Sequence, residues 1–345
     1  MNLISACIIT KNESTNLEIC LSRLAKYDFE IVVVDTGSTD DSMEVARKFT
    51  SSVYTFEWIN DFSAARNFAI EKARGEYILM VDTDEFVDEL DEAALRNLID
   101  EHPEAVGRIH RKNYYSSDGS EMVSHELINR LFPKNLYHYE GTIHEQVVPA
   151  GETYEVPLFI SHVGYKLDSV NKKEKAERNL RLLLKEYERN PEDTYIIYQI
   201  GKAYFFEQDY ENAATTFEKS FEFEMDERRV YVQELMVTYA YALINLEQYE
   251  KALLLESVFD EFCHSADYLF VMGLVYMHNA RFEDAVNAFL LATTKENCTV
   301  EGVNSFSAYY NIGVIYECLG QKKKAKEYYA KCGDYPPALE GAGRC

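Results

Sequence analysis

Basic residues are scarce in this 345-residue chain: 35 lysines and arginines stand against 59 aspartates and glutamates, a formal net charge of −24. Such a surplus repels a phosphate backbone, so a nucleic-acid partner is excluded as an expectation. No stretch approaches the roughly 20 consecutive apolar residues of a membrane-spanning helix, and no transmembrane segment is expected. The seven cysteines show no CxxC spacing and are odd in number, which argues against a disulfide framework and a zinc site. Met1–Thr10 lacks the basic start, long apolar run and small-residue cleavage site of an export signal. A reducing, cytoplasmic setting is therefore expected.

What is present divides into two halves with different periodicities. Up to about residue 168 short apolar runs alternate with helical segments: Ile4–Thr10, a helix near Thr15–Lys26, Glu30–Asp35, a helix near Ser42–Phe49, then Tyr77–Val81. That alternation predicts an α/β domain with a mainly parallel sheet, whose ligand site lies beyond the carboxyl ends of the strands. From Ser169 onward only helical periodicity remains, opening with a charged helix over Asn171–Arg189.

Tyrosine, at 26 residues, is over-represented, and many of the tyrosines fall in the second half at fixed intervals. Ala213, Ala252, Ala285 and Ala325 recur at spacings of 39, 33 and 40. Gly201, Gly273 and Gly313 precede their partner alanines by twelve residues, and Tyr204, Tyr276 and Tyr316 follow those glycines by three. Phe217, Phe289 and Tyr329 come four after their alanines, while the second copy carries Ala240 in place of the glycine. Small residues let paired helices approach closely and the aromatics fill the space between pairs. The pattern resembles the tetratricopeptide repeat. It predicts about four repeats over 169–345, after a connecting helix.

Polar clusters mark the strand ends of the first half. Thr10-Lys11-Asn12-Glu13 ends the first strand, Asp35-Thr36-Gly37-Ser38-Thr39-Asp40 the second, and Asp61–Asn67 opens a helix. Gly75–Glu85 ends the next strand in carboxylates. Asp35 with Gly37 and Ser38 reads, alone, as a turn and helix N-cap. Asp82 and Asp84 are two positions apart, which in extended chain puts both carboxylates on one side. Such a pair needs a cation or hydrogen-bond donors to offset repulsion, and magnesium or manganese is commonly held in this way beside substrate phosphates. The run Glu85, Asp88, Glu89, Asp91 and Glu92 reads as a solvated helix face.

Taken in order, T-x-N-E, V-V-D-T-G-S-T-D, D-F-x-x-A-R-N, G-E-Y-I-L-x-x-D-x-D-E, a later H-E and an H-x-G-Y resemble a family 2 glycosyltransferase of the GT-A fold over residues 1–168. The D-F-x-x-A-R-N and I-H-E strings are similar to those of bacterial enzymes that glycosylate lipopolysaccharide cores or, where helical repeats follow, peptides and proteins. The resemblance implies an inverting hexosyl transfer from a UDP-sugar. Thr10 and Glu13 would line the nucleoside pocket, Asp35 would bond the uracil or ribose, and Arg66 would contact the nucleotide. Asp82 would approach the ribose or the metal, and Asp84 would ligate Mn2+ or Mg2+, with His162 of Ile160–Tyr165 as a further ligand. Gly141–Gln146 takes the place of the acidic pair that precedes the family's acceptor-site helix. Glu145 is then the expected general base, with His144 as the alternative base or metal ligand. Arg130 reads equally as a diphosphate or acceptor contact and as an ion pair on a strand. The repeats would hold a peptide or protein acceptor. The alternatives are a lipopolysaccharide or other glycan acceptor with the repeats forming a homodimer, and a non-catalytic repeat scaffold.

Overall fold

The computed structural model describes residues 3–117, 120–163 and 169–345. The chain divides into two compact units, Met1–Leu182 and Leu183–Cys345.

The first unit begins β1 (Ile4–Thr10), α1 (Ser14–Leu24), β2 (Glu30–Asp35), α2 (Ser42–Phe49), β3 (Val53–Thr55), α3 (Phe62–Lys72) and β4 (Tyr77–Asp82). It continues with β5 (Glu85–Leu90), α4 (Glu92–Glu101), β6 (Val106–Ser117), β7 (Ser120–Pro133), β8 (His138–Glu140), β9 (Gln146–Val148) and β10 (Thr153–His162). An eight-stranded sheet runs β3-β2-β1-β4-β7-β6-β10-β5, and β8 pairs with β9 as a separate hairpin. The β1–β2, β1–β4, β2–β3 and β6–β10 pairings are parallel; the rest of the main sheet is antiparallel. All seven residues of β1 are buried, as expected of a strand covered on both faces. One face packs Leu17, Leu21 and Leu24 of α1 against Ile4, Ile8 and Val33. The other packs Ala65, Ala69 and Ile70 of α3 against Cys7, Val32 and Met80. The expected alternation of strands and helices over Ile4–Asp82 is thus present. The acidic run after Asp82 departs from expectation in part: Glu85, Asp88 and Glu89 lie in strand β5, with Glu85 fully buried, and only Asp91, which caps α4, and Glu92, in its first turn, belong to a helix.

Helix α5 (Ser169–Arg189) straddles the division between the units. The second unit holds α6 (Thr194–Phe206), α7 (Tyr210–Ser220), α8 (Val230–Asn245), α9 (Tyr249–Ala252), a 3-10 turn over Leu253–Val258, and α10 (Phe259–Phe262). Then come α11 (Ala266–His278), α12 (Phe282–Ala292), α13 (Phe306–Cys318), α14 (Lys322–Tyr329) and α15 (Pro336–Arg344). The periodic alanines are all completely buried. Each periodic glycine lies under its partner's ring: a methyl group at Gly201 would sit 2.5 Å from Phe217, at Gly273 2.6 Å from Phe289, and at Gly313 2.5 Å from Tyr329. The turns inside the helical pairs share a further feature. Gln208, Glu247, Ala280 and Gly320, each five residues before its periodic alanine, all have φ between 57° and 70°. Only the last is a glycine, the residue that occupies this region without steric cost.

Candidate active site

The site is assembled at the carboxyl ends of β2, β1 and β4. Thr10 pairs in register with Asp35, and Ile9 with Asp82, so three polar residues stand side by side where the parallel strands stop. Asp35 Oδ2 accepts from the backbone N–H groups of Gly37 and Ser38, both at 3.0 Å. The turn reading is therefore correct for that oxygen. Among the described residues its Oδ1 and the Thr10 hydroxyl are buried without a hydrogen-bond partner. Unpaired buried polar atoms are costly and usually mark a ligand or water position. Glu13 lies at the mouth, accepting from Asn16 Nδ2 at 2.9 Å and paired with Lys175 of α5 at 2.6 Å.

Asp61 caps α3 through the Ala64 N–H at 2.9 Å, as Asp-Phe at a helix start suggests. One turn later Arg66 lies buried beneath the site. Its Nη2 donates to Asp82 Oδ1 at 2.8 Å, its Nε donates to Glu145 Oε1, and its Nη1 is buried without a partner among the described residues. The guanidinium carbon sits 5.5 Å from the Tyr139 ring centroid, a cation–π contact. Asp82 Oδ2 accepts from Arg130 Nη2 at 2.6 Å, and the same nitrogen reaches Glu85 Oε1 at 3.0 Å. Glu85 also accepts from Arg111 Nη1 at 3.1 Å and, through Oε2, from the Asp82 N–H at 3.0 Å. Arg111 in turn holds Glu126 at 2.5 Å. Three arginines and four carboxylates thus interleave in one largely buried cluster. Burial works against a charged Asp82, yet Arg130 and Arg66 prevail and hold its carboxyl far below the usual range. The same network holds Arg66 and Arg130 charged despite their burial.

The expected pairing of Asp82 with Asp84 does not describe this arrangement. Asp82 is neutralised by two arginines, and Arg130, weighed as a diphosphate contact or an ion pair, forms the ion pair. Asp84 stands apart in the β4–β5 turn with His162. Its Oδ2 lies 3.5 Å from His162 Nε2, and the Val163 N–H donates to the Asp84 carbonyl at 3.1 Å. His162 Nδ1 is 2.8 Å from Asn113 Oδ1, so the ring donates there and turns Nε2 toward Asp84. Burial disfavours the imidazolium, but the hydrogen bond and charge of Asp84, with Glu85, raise the His162 pKa overall. A carboxylate oxygen beside an oriented imidazole nitrogen is a donor set that fits Mn2+ or Mg2+. Among the described residues no group of three or more His, Cys, Asp or Glu side chains forms a metal cage, so phosphate oxygens and water would complete the shell.

Glu145 and His144 lie in the loop between β8 and β9. A strand follows this loop, where the resemblance implied a helix. His144 is exposed with φ of 50°. The Glu145 side chain is only 10% exposed, and its Oε1 is occupied by Arg66. Arg111, Glu126, Glu85 and Asn113 were not singled out as site residues from sequence. The register Arg111↔Glu126 is the signal that was available, since the two positions lie equally far in sequence from the Asp118-Gly119 pair between β6 and β7.

Residues 5–148 match the family model "Glycosyl transferase family 2", and residues 194–224 and 306–338 match "Tetratricopeptide repeat". A TPR repeat-containing protein of Synechococcus elongatus is 29% identical over 214 residues, covering 58% of this chain and 52% of its own length. The SPbeta prophage-derived glycosyltransferase SunS of Bacillus subtilis is 29% identical over 217 residues, with coverages of 58% and 48%. The chain therefore spans about half the length of the curated relatives it matches. Among solved structures, residues 1–349 of S. aureus TarS align over 85% of this chain and 90% of that one, at 16% identity and a TM-score of 0.36. The TPR protein YrrB aligns over 51% of this chain and 85% of its own, at 23% identity and a TM-score of 0.41. No described helix is long and apolar enough to cross a membrane.

Proposed function

We propose that this chain, a family 2 glycosyltransferase domain joined to tetratricopeptide repeats, transfers a hexosyl group from a UDP-sugar to a peptide or protein acceptor with inversion, using Mn2+ or Mg2+. The observation that carries the reading is the row of buried atoms without a partner among the described residues: Thr10 Oγ1, Asp35 Oδ1 and Arg66 Nη1. A purely structural domain gains nothing from leaving two acceptors and a cationic donor without partners.

Thr10 and Asp35 take the hydroxyl and imide groups of the nucleoside, while Glu13 and Asp82 flank the ribose. Arg66 Nη1 donates to the diphosphate. Asp84 and His162 would hold the divalent ion, which would supply positive charge beside the leaving UDP. Glu145 accepts the acceptor's proton through Oε2 as the nucleophile attacks the anomeric carbon from the face opposite UDP, and UDP departs with the bonding pair. His144, exposed on the same loop, is the second candidate for that proton. A concave repeat surface suits an extended peptide, and a chain of net charge −24 favours a neutral or basic acceptor over an anionic glycan.

Calorimetric titration with UDP tests the donor site. Affinity is expected to rise at least tenfold with Mn2+ and to lose that dependence in Asp84→Ala. Metal-independent or absent binding overturns the enzyme reading and favours the scaffold. Incubation with labelled UDP-sugars and a cell lysate tests the acceptor: label in protein supports the proposal, and label confined to a lipid or glycan fraction overturns its acceptor class.

A further inference from the structure

Helix α3 does more than carry Arg66. Its amino-terminal face meets the loop that holds Glu145 at four points. The Phe62 N–H donates to the Thr142 carbonyl at 3.0 Å, and Ser63 Oγ donates to the Gly141 carbonyl at 2.6 Å. Arg66 Nε binds the Glu145 carboxylate itself. Asn67 makes the closest imitation of a strand: its Oδ1 accepts from the Tyr139 N–H and its Nδ2 donates to the Tyr139 carbonyl, both at 2.9 Å. Tyr139 is the middle residue of β8, opposite Val147 of β9. Its backbone groups point outward from this two-stranded hairpin, and the Asn67 amide closes that edge as a third strand would. A two-stranded hairpin is marginal alone, and His144 within its loop adopts the unfavourable positive-φ region. The hairpin therefore needs an external hold.

We propose that Asn67 and Ser63 are positioning residues that fix Glu145 through the backbone of the β8–β9 hairpin, without touching donor or acceptor. This rests on the reading of Glu145 as the base. The hydrogen bonds of their side chains go to Tyr139 and Gly141, so their effect on turnover is expected to pass through the hairpin. A base displaced by about 1 Å can cost on the order of a hundredfold in rate.

The test uses the full chain and needs no identified acceptor: release of UDP from UDP-glucose, UDP-galactose and UDP-N-acetylglucosamine with Mn2+, water serving as acceptor. Asn67→Ala is expected to lower kcat roughly 10- to 100-fold and Ser63→Ala roughly 3- to 10-fold, with donor KM and UDP affinity changed less than twofold. Hydrogen exchange over residues 138–148 rises in both variants while that of β4 is unchanged. The decisive comparison is made in a Glu145→Gln background, where either substitution is expected to add less than twofold. Losses that multiply with Glu145→Gln, or a kcat within twofold of wild type, overturn the positioning role. Full activity in Glu145→Gln itself, or no UDP release from any donor by the wild type, overturns instead the reading on which it rests. Should Asn67→Ala fail to fold, Ser63→Ala carries the same comparison.

Discussion

Replacing Arg130 with methionine probes the charged cluster most directly, because the substitution keeps most of the volume and removes only the guanidinium. Arg130 Nη2 serves both Asp82 Oδ2 and Glu85 Oε1, and its side chain is 9% exposed beside a Glu85 with no exposure at all. The cluster holds three arginines against four carboxylates. Losing Arg130 takes its formal charge from −1 to −2. Breaking a buried pair by removing one partner costs about 3–5 kcal/mol, and the lower end applies because Asp82 keeps Arg66 and Glu85 keeps Arg111. At roughly 2–4 °C per kcal/mol for a domain of this size, the transition should fall by roughly 6–12 °C. The single tryptophan, Trp58, packs 4.8 Å from Phe62 in the first unit, so its fluorescence follows that unit through thermal unfolding. Adding Glu85→Gln to Arg130→Met removes the carboxylate left in excess, and the double variant should be less destabilised than the sum of the two singles. A shift below about 2 °C for Arg130→Met, or strict additivity, would refute the account of a mutually dependent cluster.

Further predictions concern other parts of the chain. Ala280→Gly relieves a left-handed residue and should stabilise the repeat unit by about 0.5–1 kcal/mol, whereas Gly320→Ala should cost about the same; far-UV circular dichroism melts read both. Gly273→Ala drives a methyl into the Phe289 ring and should cost about 1–3 kcal/mol, partly recovered by Phe289→Leu. Glu30 is bonded to Ser5 Oγ at 2.5 Å and to the Arg74 N–H and Nε at 2.7 and 2.6 Å. Burial opposes its charge, but these donors lower its pKa overall. Its contribution is therefore complete above the ordinary glutamate value of about 4.3 and is lost as pH falls through the lower folded value. Urea denaturation of wild type and Glu30→Gln should differ most at pH 6–7, and the difference should shrink as pH falls below the ordinary glutamate value; a constant difference would contradict this.

How much of this was legible beforehand follows from the range of the interactions involved. Strands β1, β2 and β4 and helix α3 are written locally, in apolar runs and in the Asp61 cap. The repeats are legible because each glycine must meet one ring, which fixes glycine, alanine and aromatic at constant spacing. Glu85 was misread for the opposite reason: within its own segment it is one of five acids. What buries it are Arg111 and Arg130, brought from β6 and β7 by pairings that a local pattern does not contain. Asn67 stood inside a recognised string, yet its partner, Tyr139, lies 72 residues away. The left-handed residues Gln208, Glu247 and Ala280 were hidden because only Gly320 announces that conformation by its type.

The order of the strands has a geometric consequence. β4 and β5 are joined by Thr83 and Asp84 alone, yet β7, β6 and β10 stand between them in the sheet. At about 4.8 Å per strand a flat sheet would hold them roughly 19 Å apart, whereas the three Cα steps from Asp82 to Glu85 span at most about 11 Å. The sheet must curl until its fourth and eighth strands almost meet, and the two-residue link acts as the clasp of that near-closure. His162, last on β10, is carried around with it and arrives beside Asp84. Lengthening the clasp by a few residues would release the curvature and part Asp82 from Asp84 and His162, which the pairing of His162 with Glu85 keeps together.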